Sequence, residues 1–431
     1  MFRRLATVLS NKKVMVRLAI TLALLLVFRF VSHITIPFIN VDAIQNAIGQ
    51  SGGFFAILDN FTGGALLRFS VLALGISPYI TASIVIQLLQ MVVPAIKEWS
   101  EQGEEGKQKV NRMTRYLAIF LAFAQGLALI IGSDNKGSIF IPTFGTNPSA
   151  FLYLYAAFVL TAGTAFTIWL ADLITKKGIG NGTSLLIAIG ITSSMPSMFK
   201  ELGATYLGAN LTVGNAFIFS SVILVYLAIL FGVVYLQIAT RKIPIQYANR
   251  PAGQRGQTDS NIPIKLNSAG VIPVIFASTI MTIPLTFAQL FSDNLGEGSW
   301  LVQIFSSEKP IGFVIYVFLI VVFSFFYSFM QLDPEQISEN LSKSNAYIKG
   351  VRPGEDTKNY IARVLFKVTV IGTLYLVVLA IIPIVAQLAI PSLPASVQIG
   401  GTGLLILVGV ATETTQQIET DAEQTSYSGI F

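Results

Sequence analysis

Histidine, cysteine and membrane-embedded acids are the side chains that would bind a metal, form a nucleophile or relay a proton, and this sequence nearly lacks them. It has one histidine, His33, and no cysteine in 431 residues. A lone histidine near the end of an apolar run reads as packing, because a metal site needs several ligands at matched spacing. The same inventory cannot assemble a nucleophile–base pair. Gly106-Lys107 lacks the upstream glycine of a phosphate loop, and Gln108 stands where such a loop needs Ser or Thr. Carboxylates within the apolar runs sit only at end positions such as Asp172 and Glu413. Ion-coupled pumps carry ionisable groups inside their spans. The pattern therefore argues against such a pump and against an enzyme, and implies no cofactor.

What remains is the chemistry of interrupted backbone inside apolar runs. Residues 69–94, FSVLALGISPYITASIVIQLLQMVVP, hold no formal charge and are followed by none until Lys97. About 20 apolar residues suffice to cross a bilayer as a helix. Yet this run carries Gly75 and Pro78, with Thr81, Ser83 and Gln87 where a lipid-facing helix would favour leucine. A proline within a membrane helix frees a carbonyl, which protein or water must then satisfy. The run is expected inside a bundle, beside a pathway. The device recurs about two hundred residues later, where Gly75-Ile-Ser-Pro-Tyr-Ile80 is answered by Gly270-Val-Ile-Pro-Val-Ile275. A second pair follows in the same order, Gly182-Thr-Ser-Leu-Leu-Ile187 and Gly401-Thr-Gly-Leu-Leu-Ile406. Interrupted helices at matching places in two halves point to a central pathway.

The elements that must position these residues are membrane spans. With 53% hydrophobic and 12% charged residues, the composition is that of a polytopic membrane protein. Hydropathy predicts ten spans, at 16–35, 70–93, 116–132, 151–173 and 183–198, then 216–238, 269–291, 311–331, 364–388 and 401–415. Of the lysines and arginines, 23 fall on one side of these spans and four (Arg68, Lys136, Lys200, Lys309) on the other, with Arg29 inside or at the end of span one. By the positive-inside rule both termini are cytoplasmic. The basic start, MFRRLATVLSNKK, reads as a cytoplasmic segment and not a removable signal peptide. Five spans per half, an odd number, invert the second half (206–431) relative to the first (1–205).

Three connecting segments stand out. Residues 52–64, GGFFAILDNFTGG, lie on the outer side with paired glycines at each end and a core too short to cross. Two readings stay open there: an interfacial helix, or a re-entrant piece that drops into a cavity. The cytoplasmic loops at about 239–268 and 333–361 are long and basic, and Pro353-Gly354 favours a tight turn that exposes Arg352. A further loop covers about 95–115. The basic loops are read either as ordinary positive-inside bias or as a docking surface for an acidic partner or RNA phosphates.

Taken together these residues resemble the SecY family, the channel-forming large subunit of the bacterial protein translocase. The motifs that carry the resemblance are Gly75-Ile-Ser-Pro-Tyr-Ile-Thr-Ala-Ser-Ile84, Gly178-Ile-Gly-Asn-Gly-Thr-Ser184, Asn267-Ser-Ala-Gly-Val-Ile-Pro-Val-Ile-Phe-Ala277, Val351-Arg-Pro-Gly-Glu355 and Gln398-Ile-Gly-Gly-Thr402. The resemblance implies an all-α polytopic membrane protein, with ten transmembrane helices in two inverted five-helix halves around an hourglass pore. It maps a ring of aliphatic side chains onto Ile76, Ile80, Thr183, Ile187, Ile275 and Ile406. The i, i+4 spacing of Ile76 with Ile80 and of Thr183 with Ile187 fits such a ring. Thr183 departs from the family's aliphatic residue and makes one arc more polar. A plug is implied at about 53–64, through Gly53, Phe54, Phe55, Ile57, Leu58, Phe61, Gly63 and Gly64. A lateral gate between spans two and three and spans seven and eight is implied, with Ser83, Gln87 and Thr279 as polar contacts across it. Docking of the SecA motor or the ribosome is assigned to Arg352, Arg241, Arg250 and Arg255, and Lys349 replaces a frequent proline before Arg352.

The implied function is a passive, gated conduit in the bacterial plasma membrane. Unfolded secretory polypeptides cross it, and apolar segments leave it sideways into membrane lipids. Signal sequences open it, SecE-like and SecG-like small subunits clamp it, and a motor or the ribosome drives it. Two rival classes are a secondary transporter, which also shows inverted repeats and broken helices, and a non-conducting assembly scaffold.

Overall fold

A computed structural model describes residues 12–41, 59, 62–134, 140, 150–208, 213–247, 260–291, 300–306, 309–389 and 395–427. The chain is mostly helical. The first half supplies α1 (Lys12–Val31), α2 (Ser77–Val92), α3 (Pro94–Glu101), α4 (Gly103–Asp134), α5 (Ala150–Lys177) and α6 (Gly182–Leu207). The second supplies α7 (Val213–Ile238), β1 (Thr240–Tyr247), β2 (Ser260–Lys265), α8 (Ile272–Phe291), α9 (Trp300–Phe305) and α10 (Pro310–Gln331). It continues with α11 (Pro334–Lys343), β3 (Ala346–Ile348), α12 (Glu355–Ala389) and α13 (Ala395–Tyr427).

Among the described residues, seven helices are long and apolar enough to cross a membrane, against the ten spans expected from hydropathy. The seven come from α1, α4, α5, α6, α7, α10 and α12. Several helices run well past their apolar windows. Glu104 and Glu105 occupy the first turn of α4, and Lys176 and Lys177 the last turn of α5. Acids at a helix N-terminus and bases at its C-terminus both suit the helix dipole. Arg115 of α4 and Asp172 of α5 form an ion pair at 2.6 Å, which locates the end-position acid Asp172.

Two expectations are corrected. The run from 70 is not one helix. Residues 71–76 form hydrogen-bonded turns and α2 begins at Ser77, so Pro78 lies in its first turn. There proline's missing N–H has no intrahelical acceptor to lose, and no carbonyl is freed. The second Gly-x-x-Pro behaves identically. Gly75 and Gly270 both take left-handed backbone, φ +52° and +63°, and each is followed two residues later by a helix start. The turn bonds match one for one. Gly75 N donates to the Leu72 carbonyl, as Gly270 N does to Asn267. Tyr79 and Ile80 donate to Ile76, as Val274 and Ile275 donate to Val271. The other sequence pair does not share local structure, because Gly182 opens α6 whereas Gly401 lies inside α13.

The second correction concerns the all-α class. The two basic loops meet in a three-stranded antiparallel sheet of order β2-β1-β3. Ile243 and Ile264 of the sheet, with Ile348, pack on Leu341, Ile361 and Leu365 to form a separate small core. Pro244 is tolerated in β1 because β3 pairs only with Ile245, Gln246 and Tyr247, leaving the earlier residues an edge on that side.

Candidate functional site

The mapped isoleucines belong to, or pack against, one extended apolar cluster. Ile76 caps the start of α2 and Ile80 follows one turn later, while Ile187, Ile275 and Ile406 lie on α6, α8 and α13. Ile76, Ile187 and Ile406 are 7%, 5% and 1% exposed and belong to one buried cluster, with Ile80 and Ile275 packed against it. Both halves of the sequence therefore contribute to a single apolar centre. Helix α2 touches α8, and α6 touches α13. On the second of these contacts Gly403 admits Ile191, whose Cγ2 lies 2.9 Å from where a methyl on Gly403 would be. Aliphatic walls give passing solute no fixed hydrogen bonds and exclude water by dewetting. Thr183, the departure in the ring, is half-buried in the first turn of α6. Its hydroxyl donates to Asn181 Oδ1 at 2.7 Å, and its amide donates to the same oxygen at 3.1 Å. Asn181 thus caps α6 and occupies the one polar side chain among the six mapped residues.

Of the mapped plug, Gly53, Phe54, Phe55, Ile57, Leu58 and Phe61 lie outside the described residues; Gly63 and Gly64 lie within them. Around these two the chain closes on itself. Gly64 N and the Thr62 hydroxyl donate to the Asp59 carbonyl at 3.0 and 3.1 Å. Leu67 N donates to Asp59 Oδ1 at 2.9 Å. Burial pushes the Asp59 carboxyl above its ordinary pKa, opposed by the Leu67 and Leu66 amides and by Arg68 and Arg29. The closed turn sits against the ring helices. Gly63 takes φ +68°, and a methyl there would lie 2.9 Å from the Gly190 carbonyl of α6, one turn beyond Ile187. Thr62 Cγ2 lies 3.0 Å from where a methyl on Gly75 would be, beside Ile76.

Arg29 ties this turn to α1 by donating from Nη1 to the Gly63 carbonyl at 2.7 Å. His33, read from sequence as packing, has a definite role. Its Nδ1 bonds the Arg29 carbonyl at 2.9 Å, and the Ser32 hydroxyl donates to the same oxygen at 2.7 Å. Both side chains cap the end of α1.

Ser83, Gln87 and Thr279 lie on α2 and α8, which contact one another, but their described hydrogen bonds stay within their own helices. Gln87 Nε2 donates to Ser83 Oγ at 3.3 Å, and Thr279 donates to the Ile275 carbonyl at 2.7 Å. Gln87 Oε1 is buried with no partner among the described residues. The seam is instead filled by apolar side chains. Ile84 of α2 packs in one cluster with Phe276 of α8 and Phe323 of α10. Phe276 meets Phe323 and Tyr327 edge-on, with ring centroids 5.9 and 6.0 Å apart. Sequence reasoning missed these aromatics, although Ile84 continues the 76–80 stripe by one more turn.

Among the docking residues, Arg250 and Arg255 lie outside the described residues, and Arg241 and Arg352 are exposed. Arg241 is in β1, and the turn that follows β3 carries Arg352. That turn is held firmly, with Ser338 donating to the Gly354 carbonyl at 2.8 Å and Thr357 to the Arg352 carbonyl at 2.7 Å. The two basic loops therefore present Arg241 and Arg352 from one folded body.

The SecY family model matches residues 70–415. The protein translocase subunit SecY of Halalkalibacterium halodurans is 43% identical, the match covering 100% of each chain. Among solved structures, a SecY whose plug domain stabilises the closed state of the translocation channel and maintains a membrane seal aligns with TM-score 0.68 at 19% identity. That alignment covers 94% of this chain and 92% of the other. Sec61 in the canine ribosome-channel complex from the endoplasmic reticulum gives TM-score 0.61 at 19% identity, with the same coverage. At those identities the structural likeness speaks for the fold.

Proposed function

Since the chain belongs to the SecY family, a family of protein translocase subunits embedded in the membrane, we propose how its geometry carries polypeptides. The chain is the central, multi-pass subunit of a protein-translocation channel. The secondary-transporter alternative finds no support, and family membership gives no reason to assign catalysis. Ten spans in two inverted halves, 1–205 and 206–431, surround the pore, with both termini cytoplasmic in the bacterial plasma membrane. Ile76, Ile80, Ile187, Ile275 and Ile406, with Thr183 at one edge, form its constriction. The segment at about 53–64 is the plug beneath it. The contact of α2 and α4 with α8, closed by Ile84, Phe276 and Phe323, is the lateral gate through which apolar segments reach lipid.

The observation that carries this reading is that buried Ile76, Ile187 and Ile406 share one apolar cluster, against which Ile80 and Ile275 pack, so that four helices contribute to it. A signal sequence opens the gate by binding the open state better than the closed one. Because the sequence holds no nucleotide loop, the driving force comes from a partner, either a SecA-like motor or the ribosome. SecE-like and SecG-like single-span subunits clamp the halves.

The driving partner docks on the folded loop body through Arg352, Arg241 and, by sequence, Arg250 and Arg255. Reconstitution of the chain with its small subunits and motor, scored by protease protection of a secretory substrate, tests the function. Arg352→Glu is expected to lower transfer at least tenfold while leaving resting ion conductance unchanged. A tenfold fall corresponds to about 1.4 kcal/mol, and losing one hydrogen bond to a charged group costs about 1.5–3 kcal/mol, hence the lower bound. Wild-type transfer by this variant would remove Arg352 from the docking site.

A further inference from the structure

We infer that Arg29 is the positioning residue that holds the channel's closing segment against the constriction, an inference that rests on the plug reading above. One side of the argument is that Arg29 is an expensive residue to keep. It sits in the last turn of α1, and a guanidinium at a membrane span is retained where it has a partner. Its partner is a backbone carbonyl and not an acid side chain. Arg29 Nη1 donates to Gly63 O at 2.7 Å, the short distance of a charge-assisted bond.

The other side is what that carbonyl belongs to. Gly63 is packed on Gly190 so closely that a methyl would meet α6 backbone at 2.9 Å and Arg29 Nη1 at 3.1 Å. The turn around it is closed by the bonds from Thr62, Gly64 and Leu67 to Asp59, which tie these described residues to one another. Asp59 adds a charge of opposite sign that attracts both Arg29 and Arg68, set against the mutual repulsion of the two arginines. The backbone of Arg29 is held at the end of α1, where Ser32 and His33 bond its carbonyl. One cation thus joins α1, the closed turn and, through Gly63, the helix that bears Ile187. Displacing the segment breaks this bond and leaves a guanidinium and a carbonyl to be rehydrated, so the bond favours the closed state. Signal for it existed in the sequence: one arginine at a span end, and one acid in a glycine-bounded segment on the same side.

The test is the resting ion conductance of the full chain, reconstituted with its small subunits in planar bilayers. The variants are Arg29→Ala, Arg29→Lys, a deletion of residues 53–64, and the deletion combined with Arg29→Ala. Loss of one charge-assisted bond is expected to raise resting conductance about tenfold in Arg29→Ala. The lysine, which keeps a charged donor, is expected to recover part of the seal. In the deletion background Arg29→Ala is expected to add nothing, because the segment it holds is gone. If Arg29→Ala does not assemble, Arg29→Gln against Arg29→Lys carries the same comparison, the charged donor sealing better. Wild-type conductance in Arg29→Ala beside a leaky deletion overturns the anchoring role and leaves the plug reading standing. An equal further rise in both backgrounds overturns it too, by making Arg29 a general support of the bundle. A deletion that does not leak removes the plug reading, and the inference with it.

Discussion

Bridging α2 to α8 across Ile84 and Phe276 is expected to abolish polypeptide transfer, with reduction or cleavage of the bridge restoring it. The chain has no cysteine, so paired substitutions Ile84→Cys and Phe276→Cys supply the only thiols of this subunit for a short cleavable bifunctional reagent. The effect is expected to be all-or-none because the seam has no other latch among its described contacts. Its candidate polar groups, Ser83, Gln87 and Thr279, bond within their own helices. What closes it is the packing of Ile84 with Phe276 and Phe323. Between membrane helices, apolar packing gains little hydrophobic energy, because lipid tails are equally apolar. The unmodified seam therefore opens at modest cost, and a covalent bridge changes that wholly. Transfer at the unmodified rate through a quantitatively bridged protein would exclude this seam as the gate.

Replacing two ring residues with asparagine, Ile187→Asn with Ile406→Asn, is expected to raise resting ion conductance by about tenfold or more. The two residues are 5% and 1% exposed in the same cluster. A buried amide without partners costs about 1–3 kcal/mol, which hydration of the constriction relieves, and each 1.4 kcal/mol is about tenfold in the wet population. The sign follows from dewetting: removing the aliphatic surface removes the barrier to water and ions. Conductance unchanged in a protein that still melts at the wild-type temperature would mean that these isoleucines only fill space between helices.

Much of this site was legible because broken helices leave strong marks. Gly75 and Gly270, with Pro78 and Pro273, marked two equivalent breaks in apolar runs, and the family resemblance mapped the isoleucines onto and around them. The local meaning of the proline was misread, since Gly-x-x-Pro signals a first turn as readily as a mid-helix kink. The sheet was hidden because Pro244 and Pro263 argue against strands. Its third strand, Ala346–Ile348, is also far away in sequence and only three residues long. The aromatic seam was hidden for a different reason. In a chain with 31 phenylalanines, Phe276 and Phe323 stand out only when three helices bring them together. Arg29 was visible as a charge with no assigned place, and its role needed the fold that sets it beside Gly63.

The central claim is that a polypeptide in transit passes through the isoleucine constriction. A photoreactive residue at Ile80, and separately at Ile275, in a complex carrying a stalled secretory chain tests it directly, with Phe231 of α7 as control because its side chain is 70% exposed on the outer surface. The account predicts adducts to the stalled chain from both ring positions and none from Phe231. No adduct at the ring, or equal adducts at Phe231, would contradict it.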